Sequence, residues 1–387
     1  MAVTPKDVLT NPNFCPMPWA GLMYNFDGSI RNCIRQADKP PIGNIHDTSI
    51  EDILLGEENQ SRQQLILDGK SVPSCQGCYD LEHNKKGFDI ISDRIFYIRE
   101  LKKTPLDTYK LNNHDLHAID VRWSNLCNFS CVYCAPIFSS KWAEELGVTI
   151  STPSEEQKQN FKQYVIQRAK QLKHVYLAGG EPLLMKQNLE LLEILYKENP
   201  EVNLRINTNL SKVDTQVFER VCKFKNVHWT VSVETTDNEF EYIRYGGSWK
   251  DFQDNLATIS KLDHKISFNM LYFLLNYHSL FNCVDYFLSL GYHPNSFVIG
   301  AMSTPIALNV RHLPKDILEQ ILSMLVDRIS QHPGFLLEDS YQNLLRYIEQ
   351  PFQKNLASSL AMLQSIDTRR GLDSSETFPD LYKILKG

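Results

Sequence analysis

The sequence predicts an α/β protein whose main domain is a partial (β/α)6 barrel of the TIM type. From about residue 118 onward, apolar strand-like runs alternate with helical patterns, which indicates βα units and a parallel sheet. The 387 residues, of which 42% are apolar, suffice for one large barrel domain and a smaller addition. Six strands are predicted, over residues 118–125, 174–180, 203–210, 227–234, 265–273 and 295–302.

Helical patterns separate these strands. The predicted helices span residues 189–198, 215–224, 251–262 and 280–290. Residues 151–173 are rich in Glu, Gln and Lys, and they predict an extra helix between the first and second strands. We interpret this insertion as a solvated amphipathic helix without a role in the active site.

The chain is predicted to divide into three parts. The first part, residues 1–110, is rich in loops and carries four cysteines, but it has too few periodic apolar residues to form a core alone. This texture indicates a small metal-stapled domain. The barrel is expected over residues 111–310, and a C-terminal helical extension that ends in a polar tail is expected over residues 311–387.

Charge and hydropathy exclude several classes of protein. The net charge of -6 disfavours binding to an extended nucleic acid, which needs a basic surface. No apolar run approaches the roughly 20 residues that span a bilayer, and the first residues do not resemble a secretory signal. We therefore expect a cytoplasmic protein without a membrane partner. In that compartment its nine cysteines are expected to be metal ligands or reactive thiols rather than disulfides.

Three cysteines are grouped directly after the first predicted strand of the barrel. Cys127, Cys131 and Cys134 lie within eight residues, on a segment that can wrap their sulfur atoms around one cluster. Three ligands for four irons would leave one iron open to a small molecule. The alternatives are a structural zinc site or ordinary buried cysteines. Zinc would need a fourth ligand, and the residues that follow Cys134 offer no nearby Cys or His.

The C-x3-C-x2-C spacing at the end of a barrel strand resembles the signature of the radical S-adenosylmethionine (radical SAM) superfamily. The resemblance implies that Cys127, Cys131 and Cys134 bind a 4Fe-4S cluster and that SAM fills the open iron site. It also implies that the aromatic residue before the third cysteine, Tyr133, lies near the adenine.

Further motifs at the expected strand ends carry the same resemblance. The segment 179–182 is similar to the GGEP motif that receives the SAM amino group, although alone it would be read as a tight turn. This chain departs from the family in having Leu210 instead of glycine and glutamate instead of aspartate at Glu234. Arg244 is expected to pair with the SAM carboxylate, and the alternative is an ion pair. The SAM-binding residues that the resemblance implies are Tyr133, Gly179, Gly180, Glu181, Pro182, Asn207, Asn209, Ser232, Glu234 and Arg244.

The four remaining early cysteines form a second predicted metal site. Cys15, Cys33, Cys75 and Cys78 match a complete four-cysteine site, in which the C-x2-C pair chelates and the distant ligands close the loops. The segment resembles the twitch or SPASM type of auxiliary-cluster domain, here placed before the barrel. The resemblance implies a second 4Fe-4S cluster, and a structural zinc site is the alternative.

Cys222 and Cys283 stand apart from both groups, within predicted helices and among apolar residues. We interpret each as a small buried hydrophobic residue. The alternative role is that of a catalytic hydrogen donor, which an epimerase would need.

The resemblance implies an enzyme that reductively cleaves SAM to a 5′-deoxyadenosyl radical and then abstracts hydrogen from a substrate C–H bond. The expected substrate is a ribosomal peptide or a small metabolite, and the expected electron donor is a reductase such as flavodoxin or ferredoxin. Two alternatives are kept: a radical SAM enzyme that modifies tRNA or nucleotides, and a non-catalytic zinc-binding interaction protein.

Overall fold

The computed structural model describes residues 11–36, 39–83, 92–101 and 108–387. The strands are β1 Gly21–Tyr24, β2 Ser29–Arg31, β3 Gly43–Asn44, β4 Ala118–Val121, β5 His174–Leu177, β6 Asn203–Thr208, β7 Val227–Ser232, β8 Lys265–Tyr272 and β9 Phe297–Ala301. The helices are α1 Met17–Ala20, α2 Ile50–Leu54, α3 Glu57–Leu67, α4 Gln76–His83, α5 Asp93–Glu100, α6 Ser140–Leu146, α7 Glu155–Ile166, α8 Lys186–Glu198, α9 Gln216–Val221, α10 Asp237–Ile243, α11 Trp249–Ile259, α12 Ser279–Ser289, α13 Lys315–Gln331, α14 Leu336–Ile348, α15 Leu356–Arg370, α16 Ser374–Thr377 and α17 Pro379–Lys386. Within these ranges, no helix is both long and apolar enough to cross a membrane.

The described chain forms two compact units that each combine separate segments. The first unit holds the described residues before Cys127, together with Thr149–Ile206 and Thr215–Val227. The second unit holds Cys127–Val148, Asn207–Asp214 and His228–Gly387. The division into domains at residues 110 and 310 stays a prediction.

The sheet of the first unit has the strand order β3-β2-β1-β4-β5-β6. Strands β1, β4, β5 and β6 are parallel neighbours, whereas β2 and β3 extend the sheet in antiparallel pairing. Parallel neighbours need long crossover connections, and the connections between β4, β5 and β6 contain helices. The side chains of β4 and β5 that face one side, such as Ile119, Val121 and Leu177, are fully buried.

In the second unit, β7, β8 and β9 pair in parallel and in that order. Their apolar residues meet the amphipathic helices α11 and α12, and Phe268 of β8 stacks on Phe287 of α12 with ring centroids 4.2 Å apart. The six parallel strands β4 to β9 and their helical connections confirm the predicted α/β class and the order of a partial (β/α)6 barrel.

The insertion between β4 and β5 contains α7, as predicted, and also α6. Helix α7 begins with a capping box between Ser154 and Gln157, in which each side chain bonds the other residue's backbone. Its apolar side is buried, because Phe161 stacks on Tyr24 of β1 with ring centroids 4.1 Å apart. The insertion is therefore amphipathic and packs into the first unit.

The amino-terminal segment is more ordered than its loop-rich sequence indicates. It adds β1 to the sheet edge beside β4 and contains helices α1 to α5 within the described residues. Helix α3 escaped the apolar pattern because it buries polar side chains, among them Asn59, Arg62 and Gln63. The segment therefore shares a core with the first unit and does not need one of its own.

The predicted polar tail is wrong in one respect, since the last residues form the helices α15, α16 and α17. Their apolar side chains Leu363, Ile366, Phe378, Leu381 and Leu385 are buried. Asp367 joins this region to α10: it accepts a hydrogen bond from the hydroxyl of buried Tyr242 at 2.8 Å and one from the Ser374 backbone at 3.0 Å.

Replacing Asp367 with alanine should therefore lower the free energy of unfolding by about 1–3 kcal/mol, because the Tyr242 hydroxyl loses its acceptor inside the protein. Urea unfolding followed by circular dichroism measures this change. Asp380→Ala, which removes an exposed partner of Lys383, should change the stability by less than about 0.5 kcal/mol. Equal effects of the two variants would contradict this role of Asp367.

Candidate functional site

The loop that carries Cys127, Cys131 and Cys134 is fixed by backbone hydrogen bonds inside the second unit. The Ser130 amide donates to the Tyr245 carbonyl, and the Val132 amide donates to the Ile243 carbonyl, each at 2.8 Å. The two bonds hold the loop against the end of α10. The spacing of the cysteines on this fixed loop keeps their thiols at one place, as predicted.

Electrostatics confirms that these thiols are near one another. Burial, followed by the neighbouring Cys131 and Cys127, raises the pKa of Cys134 to about 12. Burial also raises the pKa of Cys131. A group of thiolates is therefore unfavourable here unless a cationic centre is bound, and an iron–sulfur cluster supplies such a centre.

Asn209 and Asn207 follow from the end of β6 into the same unit. The Asn209 side-chain amide lies 3.8 Å from the Cys127 sulfur and donates to Asn128 Oδ1 at 3.2 Å. The Asn207 Oδ1 atom and the Thr235 hydroxyl are buried and have no hydrogen-bond partner. Buried polar atoms normally have partners, so these two positions fit a polar ligand such as SAM.

Tyr133, Glu234 and Arg244 form one buried group. Arg244 donates from Nε and Nη2 to the two oxygens of Glu234, at 2.7 and 2.6 Å. The Tyr133 hydroxyl donates to Glu234 Oε1 at 2.9 Å. Burial opposes the charge of Arg244, but the Glu234 carboxylate outweighs burial and raises the pKa of the guanidinium.

This arrangement changes how two predicted residues are understood. The Nε–Nη2 edge of Arg244 is paired with Glu234, so the alternative of an ion pair is correct for that edge, and the pair is buried instead of lying on the surface. The glutamate in place of aspartate is the residue that meets both Arg244 and Tyr133. Contacts of Tyr133, Ser232, Glu234 and Arg244 with SAM stay predictions.

The turn at residues 179–182 belongs to the first unit and lies on the segment that leads to Cys127. Gly179 has a φ of 109°, and a Cβ atom at Gly180 would lie 2.1 Å from the Leu126 carbonyl oxygen. The Glu181 amide donates to that same oxygen at 2.7 Å. Only glycine permits this approach of two chains. Glu181 itself is buried, and its carboxylate accepts a hydrogen bond from the Leu183 amide at 3.0 Å.

The four early cysteines border one cavity in the first unit. Cys15 precedes α1, Cys33 follows β2, Cys75 precedes α4 and Cys78 lies in its first turn. The cavity is lined by Cys15, Met17, Cys33, Arg35, Cys75, Cys78, Asp93, Arg94 and Tyr97. Burial raises the pKa of all four thiols, and for Cys15 the other three cysteines raise it further.

The described Cys, His, Asp and Glu side chains form no group of three or more around a single metal ion. The four sulfur atoms thus surround a cavity instead of meeting at one point. Such a donor set fits a multi-iron cluster, whose metal atoms are separated from one another.

Gln36, which the sequence analysis missed, contacts one of these cysteines. Its Nε2 lies 3.4 Å from the Cys75 sulfur, and its Oε1 accepts from Arg62 Nη1 at 2.9 Å. An arginine can only donate, so the oxygen must face Arg62 and the NH2 group must face Cys75. Gln36 is 1% exposed, so water does not compete for these bonds.

Cys283 is fully buried in α12, and burial raises the pKa of its thiol. Cys222 caps the end of α9 and is half-buried. Cys283 fits the interpretation as a buried hydrophobic residue. A role as hydrogen donor stays a prediction for either cysteine.

Comparisons with known proteins match both parts of the chain. A family model described as the radical SAM superfamily matches residues 121–286, which contain the three-cysteine loop and the turn at residues 179–182. A model described as an iron-sulfur cluster-binding domain (SPASM) matches residues 15–79, which contain the other four cysteines. No curated protein matches the chain.

Solved structures with a similar arrangement have low sequence identity. A structure of native anSMEcpe with bound AdoMet and a peptide is 13% identical, with a TM-score of 0.42, and covers 55% of this chain and 60% of that one. SuiB of Streptococcus suis bound to the precursor peptide SuiA is 14% identical, with a TM-score of 0.42, and covers 82% of this chain and 72% of that one. The chain therefore spans about 60% of the length of anSMEcpe.

Replacing Arg244 with leucine should lower the free energy of unfolding by about 3–5 kcal/mol, because the Glu234 carboxylate would remain buried without its partner. The double variant Glu234→Leu/Arg244→Leu should be more stable than Arg244→Leu. Urea unfolding measures both. Arg328→Leu, which removes a half-exposed partner of Asp285, should cost about 1 kcal/mol or less. Additive losses in the double variant would contradict the coupling.

Gln36→Leu should lower the reduction potential of a cluster bound at the four early cysteines, because the lost N–H···S bond stabilises the added electron. Redox titration followed by electron paramagnetic resonance (EPR) measures the potential. Gln64→Leu removes an exposed glutamine of the same helix as Arg62 and should leave the potential unchanged. An unchanged potential in Gln36→Leu would contradict the contact.

Proposed function

Because this chain belongs to the radical SAM superfamily and carries an iron-sulfur cluster-binding domain, we propose that it modifies a C–H bond of a ribosomal peptide or a small metabolite. When bound and reduced, the cluster with its SAM supplies one chemistry, the cleavage of SAM to methionine and a 5′-deoxyadenosyl radical that takes hydrogen from the substrate. The observation that carries the proposal is the fixed loop of Cys127, Cys131 and Cys134 inside the matched region.

The residues of the loop hold the first 4Fe-4S cluster in this proposal. Three thiolates leave one iron position for SAM, which is the general arrangement of an open metal site. The Asn209 amide, 3.8 Å from the Cys127 sulfur, donates toward that ligand and restrains its position. Each thiol must lose its proton when the cluster binds, and burial makes this loss unfavourable without the metal charge.

Residues around the loop orient SAM. The unpaired Asn207 Oδ1 accepts a hydrogen bond from a donor of the ligand, and the turn of Gly179, Gly180, Glu181 and Pro182 approaches it through the backbone. The buried group of Tyr133, Glu234 and Arg244 keeps its internal bonds and forms a rigid wall. Such fixed groups keep water away from the reacting atoms.

Cys15, Cys33, Cys75 and Cys78 hold a second 4Fe-4S cluster with no open position. Arg94 and the Arg35–Asp93 pair line the same cavity and partly compensate the charge of the four sulfurs. A cytoplasmic reductase such as flavodoxin or ferredoxin supplies the electron. The predicted roles of the individual cysteines are tested as follows.

Anaerobic reconstitution with iron, sulfide, dithionite and SAM should give about eight irons per chain from two four-iron clusters, and 5′-deoxyadenosine as product. Cys127→Ala should lose about four irons and all 5′-deoxyadenosine. Cys75→Ala should lose about four irons and keep uncoupled SAM cleavage. Cys222→Ala, which removes a thiol outside both groups, should keep the full iron content.

An iron-free protein, or SAM cleavage that persists in Cys127→Ala, would contradict the proposed function. Four irons and one zinc in the wild-type protein would instead show that the early cysteines hold zinc, the alternative weighed above.

A further inference from the structure

The strands β4, β5 and β6 differ strongly in their two faces. One face carries apolar residues that are buried, namely Ile119, Val121, Val175, Leu177, Leu204 and Ile206. The other face carries Asp120, Tyr176 and Arg205, and the chain continues from β4 to Arg122. Parallel strands are normally apolar on both faces. A polar face therefore indicates contact with water or with a polar ligand.

The register places three of these side chains side by side. Asp120 is the direct neighbour of Tyr176, and Tyr176 is the direct neighbour of Arg205. Neighbours in register point to the same face of a sheet. The row runs from buried Asp120 through half-buried Tyr176 to exposed Arg205, so solvent reaches its β6 end.

The row has an excess of positive charge. Arg122 donates from Nε and Nη2 to the two oxygens of Asp120, each at 3.1 Å, and this pair is neutral. The Arg205 guanidinium lies 5.3 Å from the centre of the Tyr176 ring, within the range of a cation–π contact. Because Asp120 is occupied by Arg122, the row favours an anion over an amine.

Helix α5 covers the start of β5 on the same face. Its Phe96 meets the His174 ring with centroids 5.5 Å apart, and its Glu100 lies 3.0 Å from His174 Nε2. His174 and Tyr176 are two residues apart and share a face. The helix therefore forms a floor at the start of the strands and leaves the carboxyl ends of β4 and β5 uncovered by it.

The same helix connects the row to the four-cysteine cavity. Tyr97 lines that cavity. The pKa of its hydroxyl is raised by burial above all, and also by Cys33 and Asp120. A ligand on the row would thus lie beside the floor that separates it from the early cysteines.

We propose that this face, defined by Asp120, Arg122, Tyr176 and Arg205, binds a carboxylate of the substrate. Arg205 and Arg122 supply the charge, since a guanidinium matches a carboxylate in shape and hydrogen bonding. The Tyr176 hydroxyl donates from the middle of the row. The inference rests on the proposed function and names its substrate class: an acidic compound, or a peptide that presents an acidic side chain or a free carboxyl end.

Paired probes test the inference by isothermal titration calorimetry on the anaerobic holoenzyme. N-acetylglutamate N-methylamide is compared with N-acetylglutamine N-methylamide, and N-acetylalanine with N-acetylalanine N-methylamide. At least one carboxylate should bind about tenfold more tightly than its amide, which is the size of one charge-assisted contact. The pair that shows the preference identifies the source, a side-chain or a chain-end carboxylate.

Arg205→Gln should abolish the preference without unfolding the protein, because Arg205 is exposed. Tyr176→Phe should reduce it several-fold. Arg220→Gln, at a partly exposed arginine of α9 that lies near Glu193, should retain it. Equal binding of acid and amide by the wild-type protein, or a preference that survives in Arg205→Gln, would overturn the inference.

The result is separable from the proposed function, since binding needs no SAM cleavage. If 5′-deoxyadenosine forms but no carboxylate is preferred, only the carboxylate site is wrong. If a carboxylate binds through Arg205 but SAM is not cleaved, the recognition site is correct and the proposed function is wrong.

Discussion

Seven cysteine thiols are gathered at two places in this fold, and burial raises the pKa of six of them. Grouped thiolates repel one another and lose hydration, so neither group can ionise without a bound cationic centre. The surrounding structure is arranged around this constraint. Backbone bonds fix the loop at Cys131, and the side-chain amides of Asn209 and Gln36 point toward individual sulfur atoms.

The barrel could be predicted from the sequence because each of its strands is a long apolar run between helical patterns. The extra strands β1 to β3 could not, since they have only two to four residues each and their pairing partners are distant. Helix α3 was missed because its buried side is made of Asn59, Arg62 and Gln63, so that apolar periodicity is absent. The helices at the chain end carry many polar residues, and packing decides their order.

The candidate site shows the same division between motif and geometry. Spacing located the cysteines, and the resemblance located Glu234 and Arg244, but only the structure shows that these two pair with each other. Asp120, Tyr176 and Arg205 are separated by more than 25 residues each along the chain, and only strand register makes them neighbours. The one signal in the sequence was the charged residues inside otherwise apolar strand runs, which a parallel sheet does not need for stability.

The most direct test of the account is the EPR spectrum of the dithionite-reduced protein, recorded with and without SAM. If Cys127, Cys131 and Cys134 leave one iron open, addition of SAM should change the signal of one cluster and leave the other unchanged. Cys131→Ala should retain only the unchanged signal. A spectrum that SAM does not alter, or that keeps both signals after the loss of Cys131, would contradict the open cluster on which the account depends.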